Sequence, residues 1–113
     1  MIVKLDALYE GVLGVALVLA AATGALDGSD FPSPVGTAIL LIAGWALLTL
    51  CGLIWSGRLA LRWLTAGNAL AAAAGLVWLL AAEGWSSAGA GLTSATVVVL
   101  AILAAVQAAT LRA

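Results

Sequence analysis

Four apolar runs, each close to 20 residues long, leave almost nothing of this 113-residue chain for anything else. At about 1.5 Å of rise per residue, a run of that length just crosses a hydrocarbon core of roughly 30 Å. The runs lie at about 5–26, 35–55, 59–82 and 92–111. In lipid every backbone N–H and C=O must be satisfied internally, which leaves helices or closed barrels. The alternation of a transmembrane strand is absent, and Ala and Leu dominate the runs. The reading is all-α: a single transmembrane domain spanning 1–113, built as an up-down-up-down four-helix bundle with short loops.

Composition agrees, because only 8% of residues are charged and mean hydropathy is +1.26. A cleaved signal peptide is rejected: Asp6 and Glu10 sit where net positive charge is wanted, and further spans follow. The breaks between runs are Asp27-Gly-Ser-Asp30 with Phe31-Pro-Ser-Pro34, Ser56-Gly57-Arg58, and the stretch from Glu83 to Gly91. These are turn formers, with Thr93, Ser94 or Thr96 available to cap the last helix. Orientation follows from cations. Lys4, Arg58, Arg62 and Arg112 fall at one end of the alternating spans, whereas the other two loops contain neither Lys nor Arg. Retention of Lys and Arg on the cytoplasmic side then places both termini inside. Asp27, Asp30 and Glu83 face outward as topology markers and solubilising charge. Trp55, Trp63, Trp85 and Tyr9 fall near the interfaces as anchors, and Trp45 and Trp78 fall deeper as packing residues.

Helix association in lipid relies on close backbone approach through small residues. Rows at four-residue spacing occur at Ala16, Ala20 and Gly24, at Gly67, Ala71 and Gly75, and at Ala101, Ala105 and Ala109. The row Gly67, Ala71, Gly75 carries the strongest packing signal. The lone Cys51 reads as a small packing residue.

Four polar residues interrupt the spans: Glu10, Arg62, Asn68 and Gln107. Because an unpaired charge in a span is costly, such residues usually face the bundle interior and pair. The expectation is a Glu10–Arg62 ion pair capped by Asn68 and Gln107, with Asp6 at the surface beside Arg58 or Lys4. The alternative is that Glu10 and Arg62 snorkel to the headgroups while Asn68 and Gln107 make ordinary interhelical hydrogen bonds.

The missing chemistry bounds function. The chain has no histidine and one cysteine, so metal ligation and nucleophilic catalysis lack their usual parts, and no cofactor is expected. A net charge of -1 excludes a basic tract for nucleic acid. What remains is a non-enzymatic membrane protein that acts through lipids, a small molecule, a partner membrane protein or a second copy of itself.

Leu5-Asp-Ala-Leu8, Leu53-Ile-Trp55, Ala66-Gly-Asn68 and Gln107-Ala-Ala-Thr-Leu-Arg112 together resemble small uncharacterised four-helix integral membrane proteins of actinobacteria. That resemblance implies a multi-pass protein of the bacterial cell membrane and no established activity. A second comparison is with small multidrug resistance transporters, which are similar in length and helix number and use an acidic residue in the first helix to exchange protons for cationic drugs. Glu10 is the matching residue. It departs from that pattern by lying near the cytoplasmic end instead of mid-membrane.

Overall fold

The computed structural model describes residues 2–32 and 35–112; Ser33 and Pro34 of the first expected loop lie outside the described residues. Among the described residues there are four α-helices: α1 (Ile2–Thr23), α2 (Thr37–Trp55), α3 (Leu61–Ala81) and α4 (Ser87–Arg112). All four are long and apolar enough to cross a membrane. The molecule's longest extent is 43 Å, which exceeds a hydrocarbon core of about 30 Å. Large apolar side chains stand exposed around the outside, among them Leu8, Val12, Ile42, Leu70, Leu80 and Val98. In water such a surface would drive aggregation; against acyl chains it is the ordinary outer face of a bundle.

The helices form two antiparallel pairs, α1 with α2 and α3 with α4. Backbone approach in the first pair is set by glycine. A Cβ on Gly14 would lie 2.8 Å from the Gly44 carbonyl oxygen, and one on Gly44 would lie 2.9 Å from the Gly14 carbonyl oxygen. Each glycine is therefore the space that the other helix occupies. One turn away, the side chain of Cys51 fills the gap over Gly11, the packing role read for it from the sequence. In the second pair a Cβ on Gly75 would meet Val97 at 2.7 Å.

Of the glycines in the expected small-residue rows, only Gly75 sits at a close contact. Nothing lies within 4 Å of the Cβ position at Gly67, Ala71 is exposed, and Ala16, Ala101, Ala105 and Ala109 are exposed as well. The reason is angular. The buried stripe of α3 is Leu64, Asn68 and Ala72, one position away from the glycine row. A shift of one residue turns a side chain by about 100° around a helix of 3.6 residues per turn.

Short loops hold the ends. α2 closes on Gly57, whose φ of 75° suits the αL position that follows a helix. The Gly57 N–H donates to Ile54 O at 3.1 Å, and the Arg58 N–H donates to Leu53 O at 3.1 Å, the paired bonds of a Schellman ending. The first loop contains a short 3-10 turn, Gly28–Asp30. There the Asp27 carboxylate accepts from the Ser29 hydroxyl at 2.5 Å and the Ser29 N–H at 2.8 Å. These bonds, the hydroxyl first, lower its pKa from the usual aspartate value.

Asp30 links the two outer loops. Its carboxylate accepts from the Ser86 hydroxyl at 2.5 Å, and its carbonyl accepts from the Ser86 N–H at 3.1 Å. Ser86 in turn receives the Gly89 N–H on its hydroxyl oxygen at 3.0 Å. This N-cap starts α4 at Ser87, five residues before the expected Leu92, and replaces Thr93, Ser94 and Thr96 as the cap. Asp27 and Asp30 are thus structural members of a turn as well as solubilising charges.

The close-approach glycine Gly14 separates from the open Gly67 by experiment. Gly14→Ala is expected to destabilise by about 1–3 kcal/mol through overpacking against α2. Gly67→Ala, with open space around it, is expected to be neutral or to stabilise by up to about 1 kcal/mol through helix propensity. Thermal unfolding in nanodiscs reads both, and equal shifts for the two variants would contradict the assignment of the α1–α2 contact to Gly14.

Candidate functional site

The polar residues of the spans converge at the end of the bundle where α1 begins and α4 ends. Asp6 and Glu10 stand one turn apart on α1, a spacing that puts both on one helix face. That face turns inward: Asp6 is 0% exposed and Glu10 is 3% exposed. Asn68 of α3 and Gln107 of α4, at 5% and 0%, complete the group.

Its hydrogen bonds centre on one oxygen. Asp6 Oδ2 accepts from Asn68 Nδ2 at 2.6 Å and from Gln107 Nε2 at 2.6 Å. Asn68 Nδ2 also donates to Gln107 Oε1 at 3.0 Å. The result is a closed triangle across α1, α3 and α4, in which the two bonds to Asp6 are shorter than the usual amide length. The second Asp6 oxygen, Oδ1, is buried without a hydrogen-bond partner. Apolar groups seal the site: Ala7, Ile54 and Leu64 form one buried cluster at the junction of α1, α2 and α3. Ala72, Leu100 and Leu103 form another between α3 and α4.

This arrangement corrects two expectations. Arg62 does not join Glu10; it is exposed, and its guanidinium lies over the neighbouring Trp63 ring, 5.5 Å from the centroid. Asp6 is not at the surface with Lys4 or Arg58; it is the centre of the group, while Lys4 Nζ lies over the Trp55 ring at 5.0 Å. Asn68 and Gln107 do meet across helices, as read, but around Asp6. A positional signal for this existed. Arg62 and Asn68 are six residues apart, about 240° around the helix, so both cannot face the same interior. Asp6 and Glu10 can.

The aromatic residues also divide differently. Tyr9 is turned into the bundle, where its hydroxyl donates to Thr96 Oγ1 at 3.2 Å. Trp45, expected to be deep packing, is 61% exposed on the outer surface. Trp85, expected as an interface anchor, packs edge-on against Trp78 at 4.4 Å and against Phe31 at 6.0 Å. Trp78 stacks on Phe31 at 6.4 Å, in keeping with its reading as a packing residue.

Between the polar group and these aromatic rings lies a partly enclosed cavity of about 380 Å³. All four helices line it, through Leu13 and Leu17, Leu40 and Ala43, Gly75 and Trp78, and Leu92 and Leu100. Thr93 and Thr96 supply the hydroxyls in its wall. Thr96 is engaged, donating to Leu92 O at 2.9 Å and accepting from Tyr9. Thr23, Thr49, Thr65 and Thr110 likewise donate to the carbonyl four residues back. Among the described residues the Thr93 hydroxyl makes no hydrogen bond, and Thr93 lines the cavity.

No family model matches the chain, and no curated protein or solved structure matches it.

If the triangle rather than an ion pair holds this end together, Asp6→Ala will leave two buried amides without their acceptor. Such losses cost about 1–3 kcal/mol in general, and interhelical polar contacts in membranes fall at about 0.6 to 1.7 kcal/mol. Arg62→Ala, at an exposed position, is expected to stay within about 0.5 kcal/mol of the parent. Paired melting curves decide it: a larger loss for Arg62→Ala than for Asp6→Ala would restore the ion pair.

Proposed function

We propose that this chain is a non-enzymatic, multi-pass protein of a bacterial cell membrane that holds a neutral lipophilic molecule between its two helix pairs. The observation that carries the reading is the cavity. A volume of about 380 Å³ lies at the lower end of the roughly 300–1,000 Å³ typical of small-molecule sites. Its wall is hydrocarbon and indole, which favours a lipid-soluble guest, and the Thr93 hydroxyl offers a single point for orienting one. A charged guest would lose its hydration there without a partner. A chain without histidine, with one cysteine, gives no support to covalent chemistry at this site. The transporter reading built on Glu10 is not adopted, since the cavity wall stops at Leu13 and Leu100 and Glu10 is not part of it.

The orientation proposed is N-in, C-in, with an up-down-up-down path. It is supported by Lys4, Arg58, Arg62 and Arg112 grouping at the end that carries the polar triangle, and by Asp27, Asp30 and Glu83 grouping at the other.

Filling the cavity tests the function. Native mass spectrometry of protein released from nanodiscs should show a retained lipophilic adduct in the parent and about tenfold less of it in Ala43→Phe, a change of about 1.4 kcal/mol in binding. Undiminished adduct in a folded Ala43→Phe would refute the cavity as the binding site. Orientation has its own check. In a Cys51→Ser background, a membrane-impermeant maleimide applied to intact cells should label Glu83→Cys and spare Ser56→Cys; the opposite pattern would invert the topology.

A further inference from the structure

The pair Asp6 and Glu10 presents a charge problem that the bundle does not solve with a cation. Both carboxyls are buried and adjacent on one face of α1. Among the described residues, Lys4 is drawn onto Trp55 and Arg62 onto Trp63. Arg58 and Arg112 are exposed. The groups facing the pair from other helices are Asn68 on α3 and Gln107 on α4. On α2 the nearest titratable group is the Cys51 thiol, which packs on Gly11. On α1 itself, Tyr9 is turned away to Thr96.

Hydrogen bonding distinguishes the two acids. The amide donors of Asn68 and Gln107 both end on Asp6 Oδ2, which suits an ionised Asp6. None of the cluster's amide bonds ends on Glu10, and Asp6 Oδ1 lacks a donor. A second negative charge beside Asp6, in a site shielded from water, would have no counter-charge. Two carboxyls that share such a site hold one proton between them.

We propose that Asp6 and Glu10 form a proton-binding site inside the membrane, in which the Glu10 carboxylic acid donates to Asp6 Oδ1 and the Asp6 carboxylate is held by Asn68 and Gln107. The ligand is a proton and not a metal ion, because the facing amides present N–H donors, whereas Na⁺ or Ca²⁺ would need a shell of oxygens. Release of the proton from Glu10 to water leaves two carboxylates at the junction of α1, α3 and α4 and weakens that junction. The folded state thus binds a proton that the unfolded chain gives up at neutral pH, so stability falls as pH rises through the titration of the site. The site shares no residue with the cavity.

Infrared spectroscopy of the protein in nanodiscs tests it directly. The chain has two glutamates, Glu10 and Glu83, so ¹³C-carboxyl glutamate labelling of a Glu83→Gln variant isolates Glu10 without altering the site. At neutral pH the isotope-shifted carboxylic acid C=O band should be present, should vanish as pH is raised, and should be indifferent to exchange of sodium for choline. The melting temperature should fall over the same pH range, and Glu10→Gln should remove that dependence. A fully ionised Glu10 at neutral pH, or a band that sodium abolishes, would overturn the proposal, the latter in favour of a metal-ion site.

Discussion

Lipid removes the force that normally assembles helices. The outer faces of α1 to α4 gain nothing from burying leucine against leucine that acyl chains do not already provide, so contact must come from close packing and from polar groups. Within each pair, packing suffices: Gly14 and Gly44 interlock, and Gly75 receives Val97. Between the pairs the hydrogen-bonded contacts are few. At one end the bonds from Asn68 and Gln107 to Asp6 join α1 to α3 and α4. At the other the Asp30–Ser86 contact joins the loops. Between these ends the Tyr9 hydroxyl donates to Thr96 across α1 and α4, so the relative placement of the two pairs rests on the Asp6 bonds together with this one.

That dependence explains why such costly residues stand in a span. A buried carboxylate loses its hydration, and only directed donors compensate for it. Two amides on two different helices supply them, so the cost of burial is offset only when α3 and α4 are both in register with α1. A polar residue of this kind specifies an arrangement that apolar faces alone would leave to slide.

How much of this was legible in the sequence follows from what each signal encodes. Run length and hydropathy report a helix's existence, and all four runs are helices long and apolar enough to span a membrane. They do not report rotation about the helix axis in a chain whose residues are apolar on every side. Thus Gly67 to Gly75 stood out as a row, yet the interior stripe lay one residue away at Leu64, Asn68 and Ala72. Asn68 and Gln107 were readable because an amide in a span has few places to go. Asp6 was not, since a carboxylate one turn from a helix start is normally wet. Its burial depends on α4 running to Arg112 and bringing Gln107 over it. The early start of α4 was hidden for another reason: Ser86 caps it through a contact with Asp30, 56 residues away in sequence, which no local pattern contains.

The cavity is the geometric remainder of these same contacts. Interlocked glycines draw α1 onto α2, and the Val97–Gly75 fit draws α4 onto α3, so the chain's small residues are spent inside the pairs. The seam between the pairs is then propped at its ends, by the Asp6 triangle on one side and by Phe31, Trp78 and Trp85 on the other. Leu13, Leu17, Leu40 and Leu100 face each other across the middle without meeting closely enough to fill it. An empty apolar space of this size forfeits dispersion contacts along its whole lining. Closing it would require the pairs to approach, which the packed rings of Phe31, Trp78 and Trp85 resist at one end and the Asp6 hydrogen-bond geometry resists at the other. The two props together thus fix the space between the pairs.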